Sequence, residues 1–315
     1  MRTCCPFFVL LYFCLALPAN AQFADDGPDG AEFGKEVVVR MQSGVIVKAV
    51  GGACRGIVGY TAVPIDWPEQ TVRIVTEDIS SAAKVSYKII DGTAKQMIVR
   101  IPNLPSGDEA KALVTFEVTR REILPPEETD GYVLPDVAKL DRKLRLFLGT
   151  SPKIESRHRK IRELAKDIPA GKEKAWDKVE AIYDWVREHV EYKNGPLKGA
   201  LAALNDGTGD CEELTSLFIA ICRAAKIPAR TVWVEGHCYP EFYLEDAEGK
   251  GHWFPCQAAG SRSFGGINDL RPILQKGDNM RPAYKTKKRQ RYLSHHLTGT
   301  GGKPRVQFVR KEVSK

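Results

Sequence analysis

Through the first third of the chain, apolar and polar residues alternate with a period of two; after about residue 150 the spacing becomes helical. Between Gly34 and Thr119 the runs Glu36–Met41, Val45–Val50, Gln70–Thr76, Val85–Ile90, Gln96–Ile101 and Ala112–Thr119 read as strands. The last is the cleanest. Val114, Phe116 and Val118 fall on one face and Thr115, Glu117 and Thr119 on the other, as the two-residue repeat of a pleated strand requires. Asp91-Gly92 and Ser106-Gly107 mark turns between runs. Short alternating strands at this spacing predict a small all-β sandwich over 35–122. It carries no catalytic constellation, so a structural or binding module is expected. Residues 123–150 begin ILPPEETDGYVLP, whose three prolines and glycine break the pattern and predict a linker.

Beyond the linker, Lys153–Ile168 and Lys172–Val190 read as helices, the second with Ala175, Val179, Ile182, Tyr183, Val186 and Val190 on one stripe. The segment 207–230, GTGDCEELTSLFIAICRAAKIPAR, turns on Gly207 and Gly209. It then places Leu214, Leu217, Phe218, Ile221, Cys222 and Ala225 on one buried helical face and stops before Pro228. Strand-like TVWVE (231–235) leads into a hairpin whose arms are 237–245 and 249–257. A three-residue loop, Asp246-Ala247-Glu248, pairs Glu245 with Gly249. That register sets His237 opposite Gln257 on one face and Cys238 opposite Cys256 on the other.

Composition limits the class. Apolar residues make up 43% and charged residues 28%; mean hydropathy is -0.29. A polytopic membrane protein and a largely disordered chain are both excluded. Arg2, the apolar run Phe7–Leu17 and Ala19-Asn20-Ala21 form a signal-peptide pattern over 1–21, so an exported protein, periplasmic or extracellular, is expected, with no membrane span after cleavage. Residues 22–34 read as a mobile lead-in. The net charge of +7 divides unevenly: residues 261–315 carry +11 and residues 22–260 carry −5. Residues 276–315 therefore read as a basic tail. Export and the lack of an aromatic platform argue against nucleic acid as its counterpart; an anionic cell-surface polymer fits better.

Three of eight cysteines leave with the signal, and Cys54, Cys211, Cys222, Cys238 and Cys256 remain. An odd number in an oxidising compartment leaves a thiol to explain. Cys238 and Cys256 are expected either as a cross-strand disulfide or as two packed thiols. Cys211 sits at a helix N-terminus, where unpaired N–H groups and the helix dipole favour a thiolate and can bind an oxyanion. The alternative for Cys211 is a small apolar filler; Cys222, on the buried stripe, reads as core. A thiol nucleophile needs a base oriented by a third group: His237 with Gln257 supplies both, and His252 is the reserve base. The zinc alternative, His237, Cys238, His252 and Cys256, lacks a standard ligand spacing. No EF-hand-type loop appears, so neither a calcium site nor any cofactor is expected.

The motifs GTGDCEELTSLFIAICRAAKIPAR (207–230), HCYPEFYL (237–244) and HWFPCQ (252–257) together resemble the transglutaminase-like superfamily of papain-like cysteine enzymes, in its bacterial form, over about 150–260. The resemblance implies an α+β fold with a papain-like core over 151–275. It implies Cys211 as nucleophile, His237 as general base, and Gln257 at the position where the family usually has Asp. Lys226 stands where the family has Gly, and Tyr239 where it usually has Trp. The implied chemistry is attack of the Cys211 thiolate on an amide carbonyl of a protein or peptide, oxyanion binding by helix-start N–H groups, and protonation of the amine by His237. Water then resolves the acyl-thioester (peptidase or amidase, the favoured outcome), or an amine does (transglutaminase). The alternative is an exported binding or scaffold protein that keeps the fold, with Gln257 marking lost chemistry.

Overall fold

The computed structural model describes residues 32–314. The expected signal peptide and most of the lead-in lie outside the described residues. The β-rich part comprises β1 (Phe33–Val63), β2 (Gln70–Ile79), β3 (Lys84–Ile90), β4 (Ala94–Leu104) and β5 (Glu109–Ile123). Then follow α1 (Arg142–Leu146), α2 (Arg159–Asp167), α3 (Ala175–His189), β6 (Glu191–Tyr192), α4 (Ala200–Asp206), β7 (Thr208–Gly209) and α5 (Cys211–Ala224). The chain closes with β8 (Ala229–Val234), β9 (His237–Glu245), β10 (Gly251–Pro255), β11 (Ile273–Lys276) and β12 (His296–Val313). None of the described helices is long and apolar enough to cross a membrane.

The first two expected strands are one 31-residue strand, β1. It changes direction at Gly51 and Gly52, whose φ of +68° and +133° are accessible to glycine at little cost. Its first half pairs with β5 (Val39 with Val118) and its second half with β4 (Gly59 with Val99). The sheet thereby folds over itself. Val45 and Val47 from one half and Ile57 and Val63 from the other enclose Met97, Val99, Phe116 and Val118 in a single core. This β domain is not a detached sandwich: β11 pairs with β4 through Gln275 and Ala94, which makes β10-β9-β8-β11-β4-β1-β5-β2 one continuous path.

Two segments expected to be peripheral are built in. The linker holds α1, and its first half is tied down by bridges from Ile123 to Ile267 and from Val133 to Glu245. The expected tail contributes β12, paired antiparallel with β1 from Arg40–Val313 to Tyr60–His296. Leu293, just before it, is fully buried. Lys303, Arg305 and Lys311 are exposed along β12, so the basic charge decorates a strand and does not form an appendage.

The helices are shorter than their periodicity suggests. α2 begins at Arg159 because His158 caps it through Nδ1, which accepts from Lys160 N–H. α5 is buried all round, from Glu213 to Arg223, and not along one stripe. Helices α2, α3 and α4 and strands β8 and β9 all pack on it; surrounding contact explains why even Glu213, Thr215, Ser216 and Arg223 are buried beside its apolar residues. Lys226 just beyond α5 has φ +69° and is exposed, the left-handed conformation that a glycine adopts more easily.

Candidate active site at the start of α5

The turn before α5 is fixed by a capping box. The Asp210 carboxylate accepts from Glu212 N–H (2.8 Å) and from the Glu213 amide, and Glu213 reaches back to Asp210 N–H (3.3 Å). The same Glu213 carboxylate accepts from Lys198 and Gly199 N–H. A Cβ on Gly209 would collide with the Glu213 side chain, so the glycine before the cap is required by close approach. The box occupies the Glu212 and Glu213 amides. Among the described first-turn donors, Cys211 N–H is the one the cap leaves open, which narrows the expected set of oxyanion donors to that group.

The hairpin β9–β10 pairs Glu245 with Gly251 and His252 with Leu244, two residues from the expected register. Asp246 is the reason. Its carboxylate accepts from Glu248 N–H, Lys250 N–H and His252 Nε2 (2.6 Å), organising a five-residue turn where three were expected. A shift of two keeps every side chain on its face; a shift of one would not. His237 Nε2 therefore still reaches Gln257 Oε1, at 3.0 Å. The backbone of Gln257 is held on three sides: its N–H donates to Ser263 O, and its carbonyl accepts from Tyr183 Oη and Arg187 Nη1. Since Oε1 is an acceptor, the ring N–H sits at Nε2 and Nδ1 is left for Cys211.

Cys211, His237 and Gln257 are thus brought together, with Cys211 and His237 near enough for each to shift the other's pKa. The Cys211 thiol is lowered to about 4. The largest cause is a hydrogen bond from Cys238; burial opposes it; the His237 hydrogen bond and charge, then Cys238 N–H, lower it further. For His237, burial alone would lower the pKa, but hydrogen bonds to Cys211 and Gln257 outweigh it and the net shift is upward. Both shifts favour a thiolate–imidazolium pair.

Other expectations fail here. His252 is 1% exposed and bound to Asp246, with Tyr132 at 5.7 Å between ring centroids; it is a buried turn residue and not a reserve base. The described His, Cys, Asp and Glu residues form no cluster that could hold a metal. All five described thiols are free. Cys256 packs in the helical core, while Cys238 turns to Cys211, its Sγ lying 3.6 Å from the Cys211 carbonyl.

Several neighbours of the site were not legible as such. Arg291, from the expected tail, pairs with Glu212 at 3.2 Å and donates to Ser216 Oγ. Tyr192 is brought beside Cys211 by the two-residue parallel ladder β6–β7, which pairs it with Gly209; burial first and then the Cys211 charge raise its phenol pKa. Asp269 lies close enough to His237 for the imidazolium to help lower its carboxyl, after Arg271, against the effect of burial. The capping box D-x-x-E was readable from residues 210–213 as a helix-start signature; the rest depends on pairing between distant segments.

Residues 162–258 match the Transglutaminase-like superfamily, a segment that contains Cys211, His237 and Gln257. The crystal structure of a candidate cysteine protease from Cytophaga hutchinsonii is similar over 90% of this chain and 94% of that one, with a TM-score of 0.58 at 18% identity. The periplasmic domain of TgpA from Pseudomonas aeruginosa aligns with 69% of this chain and 87% of that one, with a TM-score of 0.33 at 13% identity. No curated protein matches the chain. The core around α5 and β8–β10 is transglutaminase-like, preceded by a β domain.

Proposed function

We propose that this transglutaminase-like chain is an exported cysteine enzyme acting on amide bonds of proteins or peptides. The observation that carries the reading is a partly open thiol, Cys211, at the first position of α5 and beside a histidine that Gln257 holds at 3.0 Å, an arrangement that lowers the thiol to about 4. The thiolate attacks the amide carbonyl, and the oxyanion is met by Cys211 N–H. His237 delivers its proton to the departing amine, leaving an acyl-thioester on Cys211. Neutral His237 then activates water or an acceptor amine. Water is always available at the half-buried thiol, so hydrolysis is the favoured outcome. Gln257 orients the ring but adds no charge, so the imidazolium is balanced by the thiolate itself. Export rests on the N-terminal sequence pattern. The exposed basic residues of β12 and of 285–289 offer a counterpart to an anionic cell-surface polymer.

The test is acylation by an activated aryl ester, followed by intact mass and peptide mapping. A stoichiometric burst of phenol with the acyl group on Cys211, absent in Cys211→Ala and slowed in His237→Ala, is expected. A folded protein whose Cys211 takes up neither the ester nor iodoacetamide at pH 7 is a scaffold and overturns the reading.

A further inference from the structure

Four of the five described cysteines are buried, and three of these have an ordinary packing role. Cys54 belongs to the core of the β domain, and Cys222 and Cys256 belong to the helical core. Cys238 does not sit among such neighbours. It is 1% exposed, follows the base His237 directly, and lies close enough to Cys211 to be the largest cause of the lowering of that thiol. Its Sγ is 3.6 Å from the Cys211 carbonyl oxygen, and Thr215 Oγ1 donates to its own carbonyl at 3.5 Å. The first residue of α5 and the second of β9 therefore bring two thiols into contact. One is partly open to solvent and the other is buried.

We propose that Cys211 and Cys238 form a redox pair in which a hydroperoxide oxidises Cys211 and Cys238 resolves the product as a disulfide, reversibly silencing the site. This rests on the reading of Cys211 as a thiolate. In the first step the Cys211 sulfur attacks the terminal oxygen of the hydroperoxide. An S–O bond forms, the O–O bond breaks, and the leaving alkoxide or hydroxide takes the proton of His237. In the second step the Cys238 sulfur attacks the sulfenic sulfur of Cys211. The S–S bond forms, hydroxide leaves, and the Cys238 S–H proton departs with it as water. The two sulfurs together lose two electrons and the peroxide gains them. A thiol reductant reverses the second product and returns both thiols. Direct contact matters because a sulfenic acid with no thiol partner is open to further, irreversible oxidation. Burial of Cys238 protects the resolving thiol from that fate until Cys211 needs it.

The experiment treats the reduced full-length protein with stoichiometric hydrogen peroxide, alkylates it, and maps the peptides by mass spectrometry, with and without later dithiothreitol. Expected is one peptide pair linked through Cys211 and Cys238, with two fewer alkylatable thiols, both restored by dithiothreitol. In Cys238→Ser, and in Cys238→Ala as a second variant, Cys211 should instead accumulate as sulfinic acid that dithiothreitol does not recover. If wild-type Cys211 alkylates at pH 7 but peroxide gives no Cys211–Cys238 link, the redox pair is wrong and the cysteine-enzyme reading stands. If Cys211 of the folded protein reacts with neither reagent, the enzyme reading falls and this one with it.

Discussion

At one end of β9, His237 meets Cys211 at a half-buried opening. Four residues along the same strand, Glu241 is locked in the interior between Arg230 (2.8 Å) and Lys276 (2.7 Å). Lys276 also pairs with Glu69 at 2.8 Å, and Arg120 donates to Tyr239 Oη at 3.1 Å. These charges come from β5, β8, β9, β11 and the turn before β2, so they form an ionic seam between the β domain and the transglutaminase-like core. Both regions hold strongly shifted groups. Burial would raise the Glu69 carboxyl, but Lys276 and Arg120 bring it down to about 2; Cys211 is brought down to about 4. The difference lies in partners and access. Glu69, Glu241, Arg230 and Lys276 each face a fixed opposite charge, Arg120 is held by carbonyls and the Tyr239 hydroxyl, and all are sealed from water. Cys211 has a thiol and an imidazole as neighbours in place of a fixed charge, and it is partly open to solvent. A shifted pKa therefore does not by itself mark a catalytic group; an accessible nucleophile beside a movable proton does.

The comparison can be broken most sharply at the nucleophile. Cys211→Ala should reduce acyl transfer by at least about 10⁴-fold, measured as ester turnover, while cooperative unfolding in urea persists. Undiminished turnover would move the chemistry elsewhere. Lys276→Met should do the reverse. It leaves Glu69 and Glu241 buried without their shared cation, and breaking a buried pair this way costs about 3–5 kcal/mol. The urea midpoint should fall, and the alkylation rate of Cys211 in the protein that remains folded should hold. Gln257→Ala should lower turnover on the order of 10²-fold by freeing the imidazole, with Gln257→Asp recovering most of it; an unchanged rate would mean that the His237–Gln257 hydrogen bond does not position the base.

The smallest effect is in pH dependence. The Cys211 pKa is depressed, so its contribution to stability is complete above the pKa of an unfolded thiol and is lost as pH falls through about 4. The His237 pKa is raised, so its contribution is complete below the ordinary imidazole range and is lost as pH rises through the raised value. The ion pair occupies the window between. Alkylation of Cys211 should therefore fall away near pH 4, before Glu69 titrates near 2. In Cys238→Ala the acid limb should move upward. A limb near the ordinary thiol pKa in the wild type would remove the contrast with the seam.

Much of the site was legible because it is local. Gly207, Gly209 and Pro228 bracket a helix that starts at Cys211, and the parity of the β9–β10 hairpin sets His237 and Gln257 on one face even when the turn is counted two residues short. Of the two arrangements open to Cys238 and Cys256, a cross-strand disulfide or two packed thiols, the structure has free thiols, with Cys238 turned to Cys211. Facing is a matter of parity, whereas direct opposition needs the true register, and Asp246 sets that. β12 was hidden because HLTGTGGKPRVQFV lacks an apolar alternation; only Val309 of the strand is buried, and its pairing with β1 is made by backbone. Arg291 reads as tail charge in the sequence, although it reaches Glu212 at the start of α5.

The sequence by itself determined which residue types stand at which local position: the thiol at a helix start, the histidine at a strand start, and the side-chain amide that shares its face. These follow from periods of two and 3.6 residues and from turn chemistry, all readable within one helix or one hairpin. Only the tertiary structure decided what each group touches. It seated Cys238 against Cys211, brought Arg291 to Glu212, and closed Glu69, Lys276, Glu241 and Arg230 into a neutral seam. Those outcomes depend on pairing between segments up to two hundred residues apart, where a charge or a thiol carries no mark of its partner until the sheet that joins them has formed.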